Sequence, residues 1–260
     1  MTRLHTYRNK KYITGNRIYN SYVSNKSKNL LAVQNLISFI EEKNIELTDD
    51  ILCAIVAECA VQFILEKNGH KKNTNSLSKY FRRELPESNY WFLIEDLIGK
   101  YPHIKDTVNA YFELFNRTFI YEPSEDILGL LYISLKNIGS RKATGSYYTP
   151  TNIVQKLCDR LFRMNNPFGK DVFDPCCGTG NFILQLPPES SFEHVYGNDI
   201  DAMSVYIARI NYALKYGIHD AATIYTHITS KDYLLFGKDR QFDFILGNPP
   251  WGYVFSDSQK

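Results

Sequence analysis

No stretch of about 18 consecutive apolar residues occurs in the 260-residue sequence, so no segment reads as a transmembrane helix. Residues 1–40 begin basic but lack the continuous apolar stretch of a secretory signal. Paired CxxC units are also missing. The five cysteines, Cys53, Cys59, Cys158, Cys176 and Cys177, are odd in number and show no zinc-type spacing. They read as free thiols of a reducing compartment, and the expected location is the cytoplasm. Neither an internal repeat nor a low-complexity segment appears. What is present is an ordinary globular composition, 44% hydrophobic and 22% charged, long enough for one large domain or two modest ones.

Acidic residues are absent where the cations gather. Residues 1–40 hold seven Lys or Arg and no Asp or Glu, with Tyr7, Tyr12, Tyr19 and Tyr22 interleaved. Lys67, Lys71, Lys72, Lys79, Arg82 and Arg83 form a second run without an acid. Cations with rings between them suit a nucleic-acid backbone, because they displace condensed counterions while the rings stack on bases. A solvated arm and a solvated loop explain the same residues, and taken alone these features favour that account.

The pattern changes near residue 140. Before it, Leu30, Leu31, Val33, Leu36, Ile37 and Ile40 recur at helical spacing. A second helix is expected from Thr48 as N-cap, with Asp49 and Asp50 in its first turn, to the stop at Asn68-Gly69. Weaker helical patterns cover 88–99 and 103–117, and another runs from Pro123-Ser124 to Asn137-Ile138-Gly139. After Ser140, short apolar runs at 171–174, 194–197, 222–225 and 242–246 read as strands. Helical segments near 150–164, 179–186 and 201–216 alternate with them. That alternation predicts an α/β fold with a parallel sheet, whose ligand site lies at the carboxyl ends of the strands. The expected division is a helical N-terminal domain with a basic arm over 1–140 and a ligand-binding domain over 141–260.

Every candidate motif falls at such a strand end. The loop after the first strand reads Asp174-Pro-Cys-Cys-Gly178-Thr-Gly180-Asn, where Gly178 and Gly180 permit a tight turn and close ligand approach. Asp199 follows the second strand, about 25 residues later, placed to accept hydrogen bonds from a ribose. Together they indicate an adenosine-containing cofactor. A dinucleotide is disfavoured because the third glycine of the GxGxxG fingerprint is missing. Asp232, past the third strand, is placed to accept from an adenine amine, although a lone acid there is more often a surface residue.

The fourth strand ends in Gly247-Asn248-Pro249-Pro250-Trp251-Gly252. Two prolines fix the backbone and remove two donors, leaving carbonyl acceptors beside the Asn248 side-chain oxygen. A conjugated amine is a poor nucleophile because its lone pair is delocalised. Acceptors at Asn248 and Pro249 that hold its two hydrogens favour a pyramidal nitrogen whose lone pair faces a methyl donor. Trp251 is suited to stack on a planar base, which helps offset its extrusion from a duplex. Pro175-Cys176 resembles a cytosine-C5 nucleophile pair, but it lies in the glycine loop rather than after the fourth strand, which rejects a covalent cysteine mechanism.

Taken in order, these motifs resemble the adenine-specific DNA methyltransferases of restriction–modification systems, in the gamma arrangement of type I modification subunits and type IIG enzymes. Arg141 to Pro150 looks like motif X of that family, placed before the glycine loop. Asp174 to Gly180 is similar to motif I, Asp199 to motif II, Asp232 to motif III and Asn248 to Trp251 to motif IV. The resemblance implies a Rossmann-like fold, S-adenosylmethionine as cofactor and DNA as substrate. It also implies cofactor-binding roles for Thr149, near the methionine end, and for Pro150, and a catalytic loop of Asn248, Pro249, Pro250 and Trp251. No metal is expected. Cys176 departs from the usual alanine.

The family's catalytic domain has about seven strands, whereas four are visible, so the sheet is expected to be incomplete after motif IV. A specificity subunit or C-terminal partner would then supply target recognition, and the chain would be part of a split enzyme or a non-catalytic remnant. RNA and protein-glutamine methyltransferases, which also use Asn-Pro-Pro-aromatic loops, are the alternative. Glu42-Lys43 and Glu66-Lys67 fall in expected helices, so no nuclease is predicted.

Overall fold

The computed structural model describes residues 22–136, 148–236 and 240–250. Among them the chain forms two compact units, one within Met1–Glu122 and Leu130–Ile138, the other within Pro123–Gly129 and Gly139–Lys260.

In the first unit, α1 (Leu30–Glu42) buries Val33, Leu36, Ile37 and Ile40 along one face. Helix α2 (Asp49–Lys67) starts where expected: the Thr48 hydroxyl accepts from the Ile51 N–H at 3.3 Å, and Asp49 and Asp50 face the positive end of the dipole. Every residue of α2 from Ile51 to Leu65 is buried, so it is the central helix of the unit. Helices α3 (Ser76–Phe81), α4 (Trp91–Ile98) and α5 (Ile104–Ala110) pack around it.

Three polar residues inside α2 lie four apart and therefore share a face: Glu58, Gln62 and Glu66. Glu58 accepts from the Ser76 and Leu77 N–H groups at 2.8 and 2.7 Å, supplying the cap that α3 lacks locally. Gln62 donates to the Arg117 carbonyl and accepts from the Phe119 N–H, both at 2.8 Å. Glu66 accepts from the Tyr121 N–H at 2.9 Å. Asn29 exchanges two bonds with Ile120, at 2.8 and 2.9 Å. The irregular segment 117–121 therefore satisfies its backbone on side chains rather than in a sheet.

Glu58 is 2% exposed. Burial pushes its carboxyl up to about 7, outweighing the hydrogen bonds from Leu77, Gln62 and Ser76 and the charge of Lys79. A folded-state value above the unfolded one means that the folded chain holds a proton the unfolded chain has released. The contribution is full below about 4.5 and is lost as pH rises through about 7. Glu58→Gln cannot titrate. The parent's stability advantage over this variant, followed by chemical denaturation, is expected to fall between about pH 5 and 7.5; an advantage constant across that range would refute the assignment.

Two expectations for the cationic segments change. The second basic run is not a loop throughout, because α3 lies within it, and two of its cations are paired: Lys72 with Glu66 at 2.6 Å and Arg82 with Glu84 at 2.7 Å. Tyr22 is 2% exposed, so it packs in the core instead of offering a ring for stacking. Tyr7, Tyr12 and Tyr19 lie outside the described residues, as do residues 137–147 and Trp251. Helix α6 (Ile127–Leu135) is buried at every position, and it starts later than the sequence pattern suggests.

The second unit holds α7 (Thr151–Met164), β1 (Val172–Asp174), α8 (Asn181–Leu184), β2 (Val195–Asp199), α9 (Ala202–Tyr216), α10 (Ala221–His227), β3 (Ile228–Ser230), α11 (Tyr233–Phe236) and β4 (Phe244–Ile245). The four strands form one sheet in the order β3-β2-β1-β4, with every neighbouring pair parallel. Asp174 is in register with Gly197, Phe173 with Ile245 and Asp199 with Ser230. This is the expected α/β architecture of a Rossmann-like sheet, with four strands among the described residues, β4 at one edge of them and Ile245 66% exposed.

One strand is displaced from expectation. Residues 222–225 belong to α10, and the third strand begins at Ile228. Asp220 caps this helix by accepting from the Thr223 N–H at 2.7 Å, and Thr226 donates to the Ala222 carbonyl at 2.7 Å. A short apolar run cannot distinguish one helical turn from a strand by period alone, and the cap decides it.

The amino-terminal edge of the sheet is tied by side-chain hydrogen bonds and ion pairs. Asp171 bonds His194 at 2.7 Å and Arg240 at 3.0 Å, and Asp243 bonds Lys170 at 3.2 Å. Burial raises the Asp171 carboxyl, but the hydrogen bonds from His194 and Arg240 outweigh it and hold the group below its ordinary range. Arg240 also lies 3.6 Å over the Tyr196 ring. The opposite edge is left for the loops.

Candidate active site

Because all four strands are parallel, their carboxyl ends lie along one edge. The loop after β1 turns through Gly178 (φ +53°) and Gly180 (φ +93°) into α8. Gly180 needs its left-handed backbone and also packs on Ala208 of α9, where a Cβ would sit 3.5 Å from the Ala208 Cα. The Gly178 N–H donates to Asp199 Oδ2 at 2.8 Å, and Asp199 Oδ1 accepts from the Asp201 N–H at 2.9 Å. The glycine loop after β1 and the acid at the end of β2 are thus one hydrogen-bonded unit. Burial raises the Asp199 carboxyl above its ordinary value, with the Asp201 and Gly178 bonds partly offsetting it.

Asp174 is 3% exposed at the end of β1. Its Oδ1 accepts from the Cys176 N–H at 3.1 Å, while its Oδ2 is buried with no hydrogen-bond partner. Burial pushes its carboxyl up to about 8; the Cys176 bond lowers it and the charge of Asp199 raises it further. At neutral pH it is therefore mostly a neutral acid, able to donate. Cys176 and Cys177 beside it are also shifted upward by burial, Cys176 to about 12, so neither offers a thiolate.

The fourth-strand loop comes directly against this acid. The Leu246 N–H donates to the Phe173 carbonyl at 2.9 Å, which extends the β1–β4 ladder by one residue. A Cβ on Gly247 would stand 2.5 Å from Asp174 Oδ1, so any side chain there would have to displace the Asp174 carboxyl. Asn248, Pro249 and Pro250 follow on the same edge, Asn248 half-buried and both prolines exposed.

After β3, Asp232 is half-buried and its Oδ1 accepts from the Leu234 N–H at 3.2 Å, which turns the chain into α11. Thr149 and Pro150 lead into α7. Asn181, the first residue of α8, donates to the Thr149 carbonyl at 2.8 Å and accepts from the Thr151 hydroxyl at 3.1 Å. Thr149 Oγ1 is buried without a hydrogen-bond partner.

Three supporting residues were not legible as such in the sequence. Asp126, fully buried, accepts from the Thr179 hydroxyl through a short hydrogen bond, and from Asn211 Nδ2 and the Gly129 N–H, both at 2.8 Å. Asn198 fastens the loops after β1 and β3. Lys215 donates to the carbonyls of Ile183, Leu184 and Leu186 at 2.7, 3.0 and 2.8 Å, capping α8, and burial lowers its ammonium to about 7. Burial with polar partners far away in sequence leaves no local pattern to find.

Residues 123–260 match the profile described as N-6 DNA Methylase. The chain belongs to the N-6 DNA Methylase family. The matched span begins at the segment Pro123–Gly129, which structurally joins the sheet-bearing unit and contributes Asp126. Among curated relatives of this N-6 DNA methylase chain is the type II methyltransferase M.VspI of Vibrio sp. (strain 343), 31% identical over 112 residues, covering 42% of this chain and 26% of the relative. Another is the MjaIX methylase subunit of a type I restriction enzyme of Methanocaldococcus jannaschii, 23% identical over 215 residues, covering 78% and 33% respectively. The chain thus spans about a quarter to a third of the length of these relatives. A solved type I restriction–modification methyltransferase subunit from Streptococcus thermophilus aligns over 92% of this chain and 52% of its own, at 19% identity and a TM-score of 0.41.

Proposed function

We propose that the carboxyl edge of the sheet binds S-adenosylmethionine and that the loop from Gly247 presents the N6 amine of an adenine in DNA for methylation. The observation that carries this reading is the assembly on one edge of Asp174, Asp199, Asp232 and an Asn-Pro-Pro loop, with Gly247 seated against Asp174. The residues fit a polar ligand: Asp174 Oδ2 and Thr149 Oγ1 are buried polar atoms without partners of their own.

When bound, the cofactor supplies an electrophilic sulfonium methyl. Asp199, oriented by the Gly178 and Asp201 N–H groups, keeps further lone pairs for ribose hydroxyls. Asp232 would accept from the adenine amine of the cofactor, Thr149 would lie near its methionine end, and Pro150 and Asp174 would be further contacts to it. The Asn248 side-chain oxygen and the Pro249 carbonyl take the two hydrogens of the target amine and direct its lone pair outward. Trp251 stacks on the target base.

The same reading assigns residues 1–140 to a helical domain with a basic arm and 141–260 to the cofactor-binding domain, although the segment Pro123–Gly129 packs in the sheet-bearing unit. DNA and a target-recognition polypeptide are its partners, and the cytoplasm is its location. Among the described residues no helix is long and apolar enough to cross a membrane.

Calorimetric titration with S-adenosylmethionine tests the reading. Parental binding is expected to be saturable and to weaken about 10- to 100-fold in Asp199→Ala, the scale of losing charge-assisted hydrogen bonds. No binding by the parent, or undiminished binding by Asp199→Ala, would overturn it.

A further inference from the structure

Asn198 is 3% exposed and uses all the hydrogen-bonding capacity of its side chain. Its Nδ2 donates to the Pro175 carbonyl at 3.3 Å and to the Lys231 carbonyl at 3.0 Å. Its Oδ1 accepts from the Thr229 hydroxyl at 2.8 Å and from the Lys231 N–H at 3.1 Å. Its own backbone carbonyl accepts from the Cys177 N–H at 2.8 Å. One residue on the interior strand β2 therefore holds the loop after β1, which follows Asp174 and carries Gly178, and the loop after β3, which carries Asp232.

Those two loops share no strand ladder, because β1 and β3 lie on opposite sides of β2. Asn198 bonds both peptide groups of Lys231 that precede Asp232, and it immediately precedes Asp199. We propose that Asn198 is a positioning residue that sets Asp232 against Asp199, and so fixes the selectivity of the site for an adenine over other purines in its cofactor. The inference rests on the cofactor reading above, in which Asp199 takes the ribose and Asp232 the adenine amine.

Asp at this position keeps the shape and the acceptor oxygen but removes both donors, and it sets a carboxylate against the Pro175 and Lys231 carbonyls. The Lys231 peptide then loses one of its two anchors, and the Asp232 loop is free to move relative to Asp199. A purely structural role would weaken every ligand in proportion. A positioning role changes the ratio between ligands that differ only at the N1–C6 edge of the purine.

The experiment compares the affinities of S-adenosylhomocysteine and S-inosylhomocysteine for the full chain, in the parent, in Asn198→Asp and in Asn198→Ser. Serine is too short to span both carbonyls and carries no charge, which keeps the test available should the aspartate variant fail to fold. The parent is expected to prefer the adenosyl ligand by about tenfold or more, the scale of one buried hydrogen bond to a charged group. Both variants are expected to bring that ratio toward one, whatever their melting temperatures. A folded variant that keeps the parental ratio would overturn the proposal and reduce Asn198 to a structural residue. A parent with no preference between the ligands would instead overturn the role given to Asp232, and the inference with it.

Discussion

Replacing Asn248 by alanine is expected to lower methyl transfer to adenine in DNA by about 10²- to 10³-fold, the range seen when one preorganised hydrogen-bonding group is removed from a reacting centre. S-adenosylmethionine affinity should stay within about twofold, because the three acids and the glycine loop are untouched. The reason is geometric. β4 is laddered to β1 up to the Leu246–Phe173 bond, and Gly247 sits against Asp174, so the backbone that carries Asn248 is fixed one residue earlier. Alanine removes the side-chain oxygen and leaves that backbone in place. On the proposed mechanism the amine would then keep one acceptor, at Pro249, and its lone pair would remain delocalised into the ring. Asn248→Asp retains an acceptor and should keep part of the rate. The measurement is single-turnover transfer of labelled methyl groups to DNA in the methylating assembly, beside calorimetry of the cofactor. Transfer at the parental rate by Asn248→Ala would mean that the amine is activated by some other group.

How much of this was readable in advance depended on where the determining contacts lie. Helix α2 was legible because its cap, its first-turn acids and its apolar run are contiguous in sequence. β1, β2 and β4 were legible as apolar runs ended by turn residues, and the acids and glycines of the site stand at those ends. Helix α3 was hidden, since it is short, follows a left-handed Asn75 (φ 56°), and takes its cap from Glu58, eighteen residues upstream of Ser76. β3 was misplaced because Asp220 caps a helical turn in a stretch that reads equally well as a strand. Asn198 carries no signal of its own in the sequence, and only the register of three strands reveals it as a fastening. Asp126 is more remote still: its two side-chain partners lie 53 and 85 residues away.

That remoteness makes Asp126→Ala the substitution expected to cost most in stability. It leaves the Thr179 hydroxyl, one Asn211 amide proton and the Gly129 N–H without their acceptor in a fully buried place. Each unsatisfied group costs about 1 to 3 kcal/mol, so a loss of about 3 to 5 kcal/mol is expected after partial relaxation. Asp126→Asn should cost far less. Its amide oxygen still accepts from Gly129 and Asn211, and the Thr179 hydroxyl can turn from donor to acceptor toward the new NH₂. Gly129→Ala should resemble Asp126→Ala, since a Cβ there would collide with the Asp126 carboxylate. Thr179 stands between Gly178 and Gly180, so the damage reaches the glycine loop, and S-adenosylmethionine binding should weaken with stability in Asp126→Ala but survive in Asp126→Asn. Urea unfolding and calorimetry on the three variants check the series. An Asp126→Ala curve superimposable on the parent's would show that the buried cluster contributes nothing, and that the glycine loop holds its shape by backbone geometry alone.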